Sequence, residues 1–277
     1  MKRTADCIAR IALYAFLSLV FIISILPLVW ILLSSFKTNA EILSDPMGLP
    51  RSWGFAGYTA AFKIAPLSRF YLNSLTITTL STIGNVFFIS MSAYVAANFS
   101  FKFKTAVVAM FAFTLLIPMT SLIFPVYMLM NKLGLTDTQP GLILVYISLG
   151  FPTTFFIMRG FFMSIPRSLP EAAYIDGAGF YQTFFRIAVP VARPGLATAA
   201  ILQFLAAWNE FLYALVLTSS ARARTLPLAV NYFTSLFSFN YTAMFAAIAV
   251  IVLPSVIIYI LLQEQVVGSL TAGSIKG

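Results

Sequence analysis

Six long apolar segments, separated by shorter polar ones, dominate the hydrophobic pattern of the chain. They cover residues 8–33, 71–97, 105–130, 141–163, 195–218 and 241–262. Each is long enough to cross the hydrocarbon layer of a membrane as an α-helix, which takes about 20 residues. The apolar positions recur at helical spacing or run without interruption, and no alternating pattern of a transmembrane barrel is found. The pattern therefore predicts an all-α fold, a polytopic bundle of six transmembrane helices.

The composition supports a membrane protein and excludes several other classes. Hydrophobic residues make up 60% of the chain and charged residues only 9%, against about 25% charged residues in a typical soluble domain. Histidine is absent and Cys7 is the only cysteine, so the commonest metal ligand is missing and no disulfide can form within the chain. Carboxylates do not cluster in the apolar segments. The chain is therefore predicted not to be an enzyme and to hold no metal or cofactor of its own.

The basic residues predict the orientation. A net charge of +9 would suggest a nucleic-acid partner only if these residues clustered, and they do not. With six spans and a cytoplasmic N-terminus, ten of the 17 lysines and arginines fall on the cytoplasmic side, whose loops are much shorter. These ten are Lys2, Arg3, Arg10, Lys102, Lys104, Arg159, Arg167, Arg186, Arg193 and Lys276. Because positive charge is enriched in cytoplasmic loops, both termini are predicted to be cytoplasmic.

A charged segment, residues 167–194, separates the fourth and fifth apolar segments. Ser168 and Glu171 have the Ser-x-x-Glu spacing of a capping box, which predicts a short helix that begins near Leu169. Gly177, followed by a second glycine two positions later, is expected to end that helix, because glycine readily takes left-handed backbone angles.

A second helical stretch follows in the same segment. Its aromatic and aliphatic residues recur at near-helical spacing from Phe180 to Ile187. Pro190 and Pro194 are expected to end this stretch and to redirect the chain into the next span. Two short helices that meet at a glycine would form a compact knob suited to a socket. An ordinary capped loop between two spans is the alternative.

The order Glu-Ala-Ala, Asp-Gly-Ala and a closing proline resembles the cytoplasmic coupling loop of ABC importer permeases. The matching positions are Glu171, Ala172, Ala173, Asp176, Gly177, Ala178 and Pro190. The resemblance implies that this two-helix loop docks into a separate ABC ATPase dimer, which binds ATP and Mg and drives transport. The chain itself contains no phosphate-binding Gly-x-x-x-x-Gly-Lys-Ser/Thr loop, so it would take its energy from that partner.

Two further segments narrow the resemblance. The sequence Trp-Asn-Glu-Phe at residues 208–211 and the tail at 263–277 resemble the binding-protein-dependent carbohydrate permeases of the maltose type, and residues 34–42 agree with their first exterior loop. This family implies a prokaryotic-type inner membrane, an exterior solute-binding protein and a second, homologous permease subunit, although a homodimer stays open. It also implies a carbohydrate or polyol-type solute. Membrane lipid would surround the spans.

We find no internal repeat or low-complexity linker. The chain is divided here at the end of its longest exterior loop. Residues 1–70 would contain the first transmembrane helix and that loop, and residues 71–277 would form the permease core, with the coupling loop at 167–194.

Glu210 is the notable ionisable residue within an apolar segment, where a charge is costly and by default suggests a function. On a continuous helix it shares a polar and small-residue stripe with Gln203, Ala206, Ala207 and Ala214, whereas Leu202, Leu205 and Leu212 would face lipid or a neighbour and Asn209 points about 100° away. The stripe should face the interior or a water-filled pathway. Three roles stay open for Glu210, namely solute contact, a structural polar network, or exposure near the outer interface. The candidate solute-pathway residues are Gln203, Asn209, Glu210 and Tyr213.

The second span carries a similar stripe, for which packing against a second permease subunit is the preferred interpretation. Its members are Ser74, Thr78, Ser81, Asn85 and Ser92.

Two other classes of protein compete with the importer hypothesis. A proton-coupled secondary transporter would use Glu210 as its proton carrier, and an ion channel or scaffold would need neither ATP nor a binding protein. Against the secondary transporter stand the coupling-loop pattern and the lack of duplicated halves with broken helices.

Overall fold

A computed structural model describes residues 2–235 and 238–274, with side chains over residues 10–233 and 240–261 and at residue 263. The α-helices are α1 (Lys2–Ser34), α2 (Asn39–Ser44), α3 (Ala56–Ile64), α4 (Leu67–Asn98), α5 (Lys104–Thr114), α6 (Ile123–Lys132), α7 (Gln139–Leu149), α8 (Phe151–Ser164), α9 (Ser168–Ile175), α10 (Phe180–Thr183), α11 (Val189–Val191), α12 (Arg193–Trp208), α13 (Leu212–Leu217) and α14 (Tyr241–Ser274). Two 3₁₀ turns (Met119–Leu122 and Leu226–Tyr232) and a π-helical turn (Phe184–Ala188) join them. Strands β1 (Thr234–Ser235) and β2 (Ser238–Phe239) form one short antiparallel pair.

The described residues contain three single helices long and apolar enough to cross a membrane, at Arg10–Ser34, Leu67–Asn98 and Tyr241–Leu261. Three further pairs of helices pass the same test together, and each pair is bent. The bends are 98° between Lys104–Thr114 and Met119–Lys132, 49° between Gln139–Leu149 and Phe151–Ser164, and 80° between Phe180–Val191 and Arg193–Trp208. By length and composition the described residues thus contain up to six spans, and the predicted all-α polytopic class is confirmed. The third pair includes residues 180–191, which the sequence pattern assigns to the coupling segment and not to a span.

Three of the six predicted segments contain breaks. The third, fourth and fifth apolar segments each contain an interruption, at Pro118, at Gly150 and at Asn209–Phe211 respectively. Proline lacks the backbone N–H that continues a helix, and glycine stabilises a helix poorly, so the first two breaks have local causes. The third break splits the predicted fifth segment into α12 and α13. Broken helices are therefore present, and the argument against a secondary transporter rests on the coupling-loop pattern and the lack of duplicated halves.

The chain separates into two compact units, of which the first contains residues 1–67 and 229–253. Within it, Trp30 packs edge-on against Phe245, with ring centroids 5.1 Å apart. Asn39 accepts hydrogen bonds from the backbone N–H (2.9 Å) and the hydroxyl (3.0 Å) of Thr242. These contacts fasten α1, and the loop segment that follows it, to the start of α14.

Buried polar groups organise that loop. Lys37 is only 2% exposed, and its Nζ donates to the carbonyls of Asp45 (3.1 Å) and Pro46 (2.9 Å). Thr38 and Glu41 form a complete capping box at the start of α2. The hydrogen bond from the Thr38 backbone to the Glu41 carboxylate lowers the pKa of Glu41.

The second unit contains residues 68–228 and 254–277. It has one apolar core around Tyr94, Phe155 and Phe162 and another around Ile77 and Tyr146. The proposed division at residues 70 and 71 stays a prediction about domains.

Asp137 joins two loops at one end of the second unit. Its carboxylate accepts the backbone N–H groups of Ser219 and Ser220, each at 2.8 Å, and lies 3.8 Å from Arg222. Its own N–H donates to the carbonyl of Leu217 at 2.7 Å. Partial burial raises the pKa of Asp137, but the hydrogen bonds from Ser220 and Ser219 and the charge of Arg222 outweigh it and lower the pKa to about 2.

Candidate coupling segment and solute cavity

The predicted coupling segment, residues 167–194, begins with the short helix α9, Ser168–Ile175. The helix starts within one residue of the predicted position, but the capping box at Ser168 is not formed. Arg167, which precedes the helix, already has helical backbone angles (φ −60°, ψ −27°) and makes no side-chain cap. Ser168 therefore lies inside the helix, whereas a capping serine must have extended angles.

Gly177 ends this helix as predicted. Its φ is +82°, in the left-handed region that glycine reaches at little cost. The N–H of Ala178 donates to the carbonyl of Ala173 (2.9 Å), and the N–H of Gly177 donates to the carbonyl of Tyr174 (3.1 Å). This pair of bonds is a Schellman motif, which satisfies the last carbonyls of the helix and sets the direction of the following chain.

The second half of the segment contains α10, the π-helical turn and α11 in succession. The helical path passes through Pro190 and ends at Val191, and the chain turns by 80° before α12. Pro194 lies in the first turn of α12, a position that tolerates proline because its N–H needs no helical partner. The two prolines therefore flank the change of direction, and Pro190 is part of the helix that it was expected to end.

An aromatic cluster packs this segment against the rest of the second unit. The cluster, here called the anchor, consists of Tyr94, Phe99, Phe162, Phe180 and Phe184. Tyr94 of α4 lies 5.3 Å from Phe162 of α8, 5.8 Å from Phe180 and 5.2 Å from Phe184, measured between ring centroids. Phe99 completes the anchor through contacts with Tyr94 and Phe180. Aromatic pairs at these distances stabilise one another beyond their buried area. The anchor therefore connects the coupling segment directly to two helices of the core.

The signature positions divide between a buried and an exposed face. Ala173 is buried (7% exposed), and Ala178 and Pro190 are half-buried. The exposed members are Glu171, Ala172, Asp176 and Gly177. Beside them, Ile175 is 86% exposed and Tyr181 65% exposed. The segment thus presents apolar and acidic groups together on an outward face.

A cavity of about 280 Å³ lies within the second unit. Its walls come from α7, α8, α12 and α13, with Met119 closing one side. Three of the four candidate pathway residues line it, Gln203, Glu210 and Tyr213.

Glu210 occupies the break between α12 and α13. One carboxylate oxygen accepts the N–H of Tyr213 at 2.8 Å. The other accepts the N–H of Ala214 at 3.0 Å and the hydroxyl of Tyr146 at 2.8 Å. Glu210 therefore satisfies the first backbone groups of α13 and ties them to α7, as a structural polar network requires. It also lines the cavity, and contact with a solute stays a prediction.

Tyr213 extends this network to the third span. It is 3% exposed, and its hydroxyl donates to the carbonyl of Met119 at 2.7 Å, next to the break at Pro118. The polar residues around the cavity thus bond backbone groups at the interruptions of neighbouring spans.

Asn209 does not belong to the cavity. It is exposed, its amide donates to the carbonyl of Leu205 at 2.9 Å, and its side-chain oxygen accepts the hydroxyl of Ser255 at 3.1 Å. Leu202, expected to face lipid or a neighbour, lines the cavity instead. Leu202 precedes the break at residue 209, and the cavity also takes in Ala199 and Ala206 of the same helix, so it covers a wider arc of α12 than the predicted stripe.

Sequence reasoning missed the contribution of the fourth span. Tyr146, Gly150, Thr153 and Thr154 all line the cavity. Gly150 and the proline two positions later were the available signal, because a glycine and a proline this close together interrupt a helix.

The polar stripe of the second span packs within this chain. Ser74, Thr78, Ser81 and Asn85 are buried, and the hydroxyl of Ser74 accepts the N–H of Leu226 at 2.7 Å. Only Ser92 is exposed among the five. The expectation that this stripe contacts a second permease is therefore wrong for its buried members, which hydrogen-bond or pack against their own subunit.

Comparisons with known proteins agree with the resemblance drawn from the motifs. The family of binding-protein-dependent transport system inner membrane components matches residues 87–270. The diacetylchitobiose uptake system permease protein NgcG of Streptomyces coelicolor is 36% identical over 265 residues, covering 95% of this chain and 88% of the relative. The trehalose transport system permease protein SugB of Mycobacterium tuberculosis is 36% identical over 256 residues, covering 92% of this chain and 93% of the relative.

A solved structure shares the fold. It is that of a bacterial ABC transporter involved in the import of the acidic polysaccharide alginate, and one of its chains superposes with a TM-score of 0.84 at 23% identity, covering 94% of this chain and 97% of that one. The chain therefore belongs to the family of binding-protein-dependent inner-membrane permeases, which are multi-pass subunits of ABC transport systems. Membership supports a transport role and not an enzymatic one.

Proposed function

We propose that this chain is one membrane subunit of an ATP-driven importer for a carbohydrate or polyol-type solute. The relatives named for diacetylchitobiose and trehalose support the solute class. The cavity agrees with it, because within the described part of the chain its lining contains hydroxyl and amide groups and no lysine or arginine. Such a surface hydrogen-bonds an uncharged polyhydroxy solute, and the Glu210 carboxylate disfavours an anionic one.

The exposed face of the coupling segment is the observation that supports an ATPase partner. Ile175 and Tyr181 are apolar, exposed and held on a segment that the Schellman turn and the anchor keep in shape. Exposed apolar residues on a preformed segment suit a partner groove. An ABC ATPase dimer would grip this face, bind ATP and Mg itself, and move the segment as it closes and opens.

The remaining assembly follows from the same family. A second, homologous permease would complete the pathway, and an exterior solute-binding protein would deliver the solute; a solved alginate transporter is described in complex with a periplasmic protein bound to an alginate pentasaccharide. We place the chain in a prokaryotic-type inner membrane, surrounded by lipid, with both termini in the cytoplasm. No nucleic acid takes part.

Purification of the tagged chain from its native membrane in nanodiscs tests this assignment. We expect an ATPase and a second permease to co-purify, with ATP hydrolysis that rises when a trehalose- or diacetylchitobiose-loaded binding protein is added. The unloaded binding protein is the control. A chain that purifies alone under conditions that preserve a known ABC importer contradicts the proposal.

The alternative is a proton-coupled transporter that uses Glu210, which does face the cavity. In that case uptake would survive ATP depletion, collapse with a protonophore, and be lost in Glu210→Gln. For an ATP-driven importer, the protonophore has no direct effect. Glu210→Gln then lowers thermal stability. The two carboxylate oxygens accept hydrogen bonds from the Tyr146 hydroxyl and the Tyr213 N–H, and the NH₂ group of glutamine cannot replace one of these acceptors.

A further inference from the structure

The fourth span bends by 49° where α7 meets α8, at Gly150. A bend interrupts the backbone hydrogen bonds of a helix and leaves carbonyl groups to be satisfied by other donors. Inside a membrane protein such groups need partners, because no bulk water is present to bond them. The bonds made by the last carbonyls of α7 therefore identify what holds the bend.

Two side-chain amides from other helices supply those bonds. Gln203 of α12 donates to the carbonyl of Tyr146 at 2.9 Å, and Asn85 of α4 donates to the carbonyl of Ile147 at 2.7 Å. Thr154, on the far side of the bend, donates to the side-chain oxygen of Asn85 at 2.6 Å. Asn85 is fully buried and Gln203 is 6% exposed, so both amides depend on these partners.

Gly150 allows both amides to approach the backbone. A Cβ atom at this position would overlap Oε1 of Gln203 and would lie 2.9 Å from Nδ2 of Asn85. Any larger residue would displace the two side chains that hold the carbonyls. The glycine, the two amides and Thr154 therefore form one unit, here called the joint.

The joint lies between the two candidate functional regions. On one side, Phe155 and Phe162 of α8 belong to the same core as Phe184 of the coupling segment. On the other side, Tyr146 of α7 donates its hydroxyl to Glu210 at the cavity. Gly150 and Gln203 themselves line the cavity.

We propose that the joint is the hinge through which movement of the coupling segment reshapes the solute cavity, with Asn85 and Gln203 as positioning residues. This inference rests on the proposed function. When α8 moves with the coupling segment, the amides keep the carbonyls of α7 bonded while the angle at Gly150 changes. A hinge with satisfied backbone groups opens and closes without an unpaired polar group in the membrane, which would oppose the motion.

Spin labels test the motion directly. With Cys7 replaced by serine, cysteines at Leu144 of α7 and Met163 of α8 accept labels, because these positions are 50% and 58% exposed. In the reconstituted complex we expect the label distance to differ between the nucleotide-free state and the state trapped with MgATP and vanadate. An identical distance distribution in the two states overturns the hinge.

Amide variants separate a hinge from a purely structural contact. Asn73→Ala is the matched control, because Asn73 is an amide on the same helix, 5% exposed, that donates to the carbonyls of Ala221 (3.1 Å) and Arg224 (2.8 Å) away from the joint. Asn85→Ala and Gln203→Ala are expected to lower trehalose or diacetylchitobiose uptake per ATP hydrolysed about tenfold, since a lost buried bond shifts a two-state equilibrium by about that factor. Asn73→Ala is expected to lower thermal stability and keep the wild-type ratio.

The wild-type complex separates the two proposals. If it fails to couple ATP hydrolysis to uptake of either sugar, the proposed function is wrong, and the hinge, which rests on it, is refuted as well. If it couples them and Asn85→Ala and Gln203→Ala keep the wild-type ratio, the joint is refuted while the importer stands. An equal loss in Asn73→Ala also refutes it, because a general loss of packing then explains the effect.

Discussion

Glu210 illustrates how much a single residue depends on the backbone around it. Its position in an apolar segment identified it as costly and therefore worth explaining. In the structure its carboxylate accepts three hydrogen bonds, two of them from backbone N–H groups of α13. A carboxylate at the start of a helix also interacts favourably with the helix dipole. Glu210 therefore lowers the free-energy cost of the break in this span, because it pairs backbone N–H groups that the break leaves without helical partners. It lines the cavity at the same time.

The capping motif gives two outcomes in one chain. Thr38 and Glu41 form the full reciprocal box, with Thr38 in extended backbone (φ −76°, ψ 161°). Ser168 and Glu171 have the same spacing but form no such cap, because helical geometry already begins at Arg167. Residue spacing is necessary for the box, and the backbone angles of the first residue decide it.

Gly177 carries the prediction at residue scale. Gly177→Asp and Gly177→Ala should both leave membrane insertion intact and abolish or sharply reduce uptake. The reason is backbone conformation, since φ is +82° and a non-glycine residue there costs about 1–2 kcal/mol. No atom within 4 Å would obstruct a Cβ. Uptake in cells that express equal amounts of assembled complex is the measurement.

Gly179 offers the matched control for Gly177. It is also exposed with open space around it, but its φ is −77°, which any residue adopts. Gly179→Ala should therefore transport normally. Wild-type uptake by both Gly177 variants, or equal loss in Gly179→Ala, contradicts the importance of the left-handed turn.

Among the helices, the anchor attaches the coupling segment to the apolar core of the second unit. Phe184 is 2% exposed and contacts Tyr94, Phe162 and Phe180. Its neighbour Phe185 is 45% exposed. Adjacent phenylalanines on one helical turn thus differ in what they stabilise, which a hydrophobic pattern alone does not distinguish.

This difference predicts unequal effects of truncation. Phe184→Ala should destabilise the protein by about 3–5 kcal/mol and reduce co-purification of the ATPase, because a buried cavity forms beneath the coupling segment. Phe185→Ala should cost less, since its side chain is partly exposed already. Thermal unfolding of the purified chain, with ATPase recovery in parallel, measures both. Similar losses of stability for the two variants would show that the anchor does not depend on Phe184.

At the scale of the whole molecule, the loop contacts of Asp137 predict an acid response. The folded-state pKa of about 2 lies below the ordinary value of 3.8, so the charged carboxylate stabilises the folded state. This contribution is fully present above about pH 4 and is lost as the pH falls toward 2. Asp137→Asn should therefore lower the melting temperature by a constant amount above pH 5, and the difference should shrink below pH 4. A difference that stays constant down to pH 2 excludes this linkage.

The orientation across the membrane is a second prediction at this scale. In a Cys7→Ser background, Lys102→Cys should react with an impermeant maleimide only after the cells are permeabilised, and Trp53→Cys should react in intact cells. Both side chains are exposed in the structure, and neither lies on the face proposed for the ATPase, so access to the reagent depends on the side of the membrane. The reverse labelling pattern would invert the proposed topology.

The class and the family follow from the sequence alone, because apolar length and a dense local motif are properties of contiguous residues. The same motif predicts the coupling segment, whose docking role stays a prediction. The sequence also located Gly177 and three cavity residues, Gln203, Glu210 and Tyr213. The tail at 263–277, which helped to narrow the resemblance, lies almost wholly outside the residues whose side chains the structure describes.

Tertiary structure alone decided which carbonyls each amide holds, which phenylalanine is buried, and where the spans break. Asn85 and Gln203 are far apart in sequence, yet they donate hydrogen bonds to consecutive carbonyls of a third helix, α7. Burial of Phe184 against Tyr94 likewise joins residues distant in sequence. Such pairings depend on packing between helices, and a periodic pattern records only which residues share a helical face.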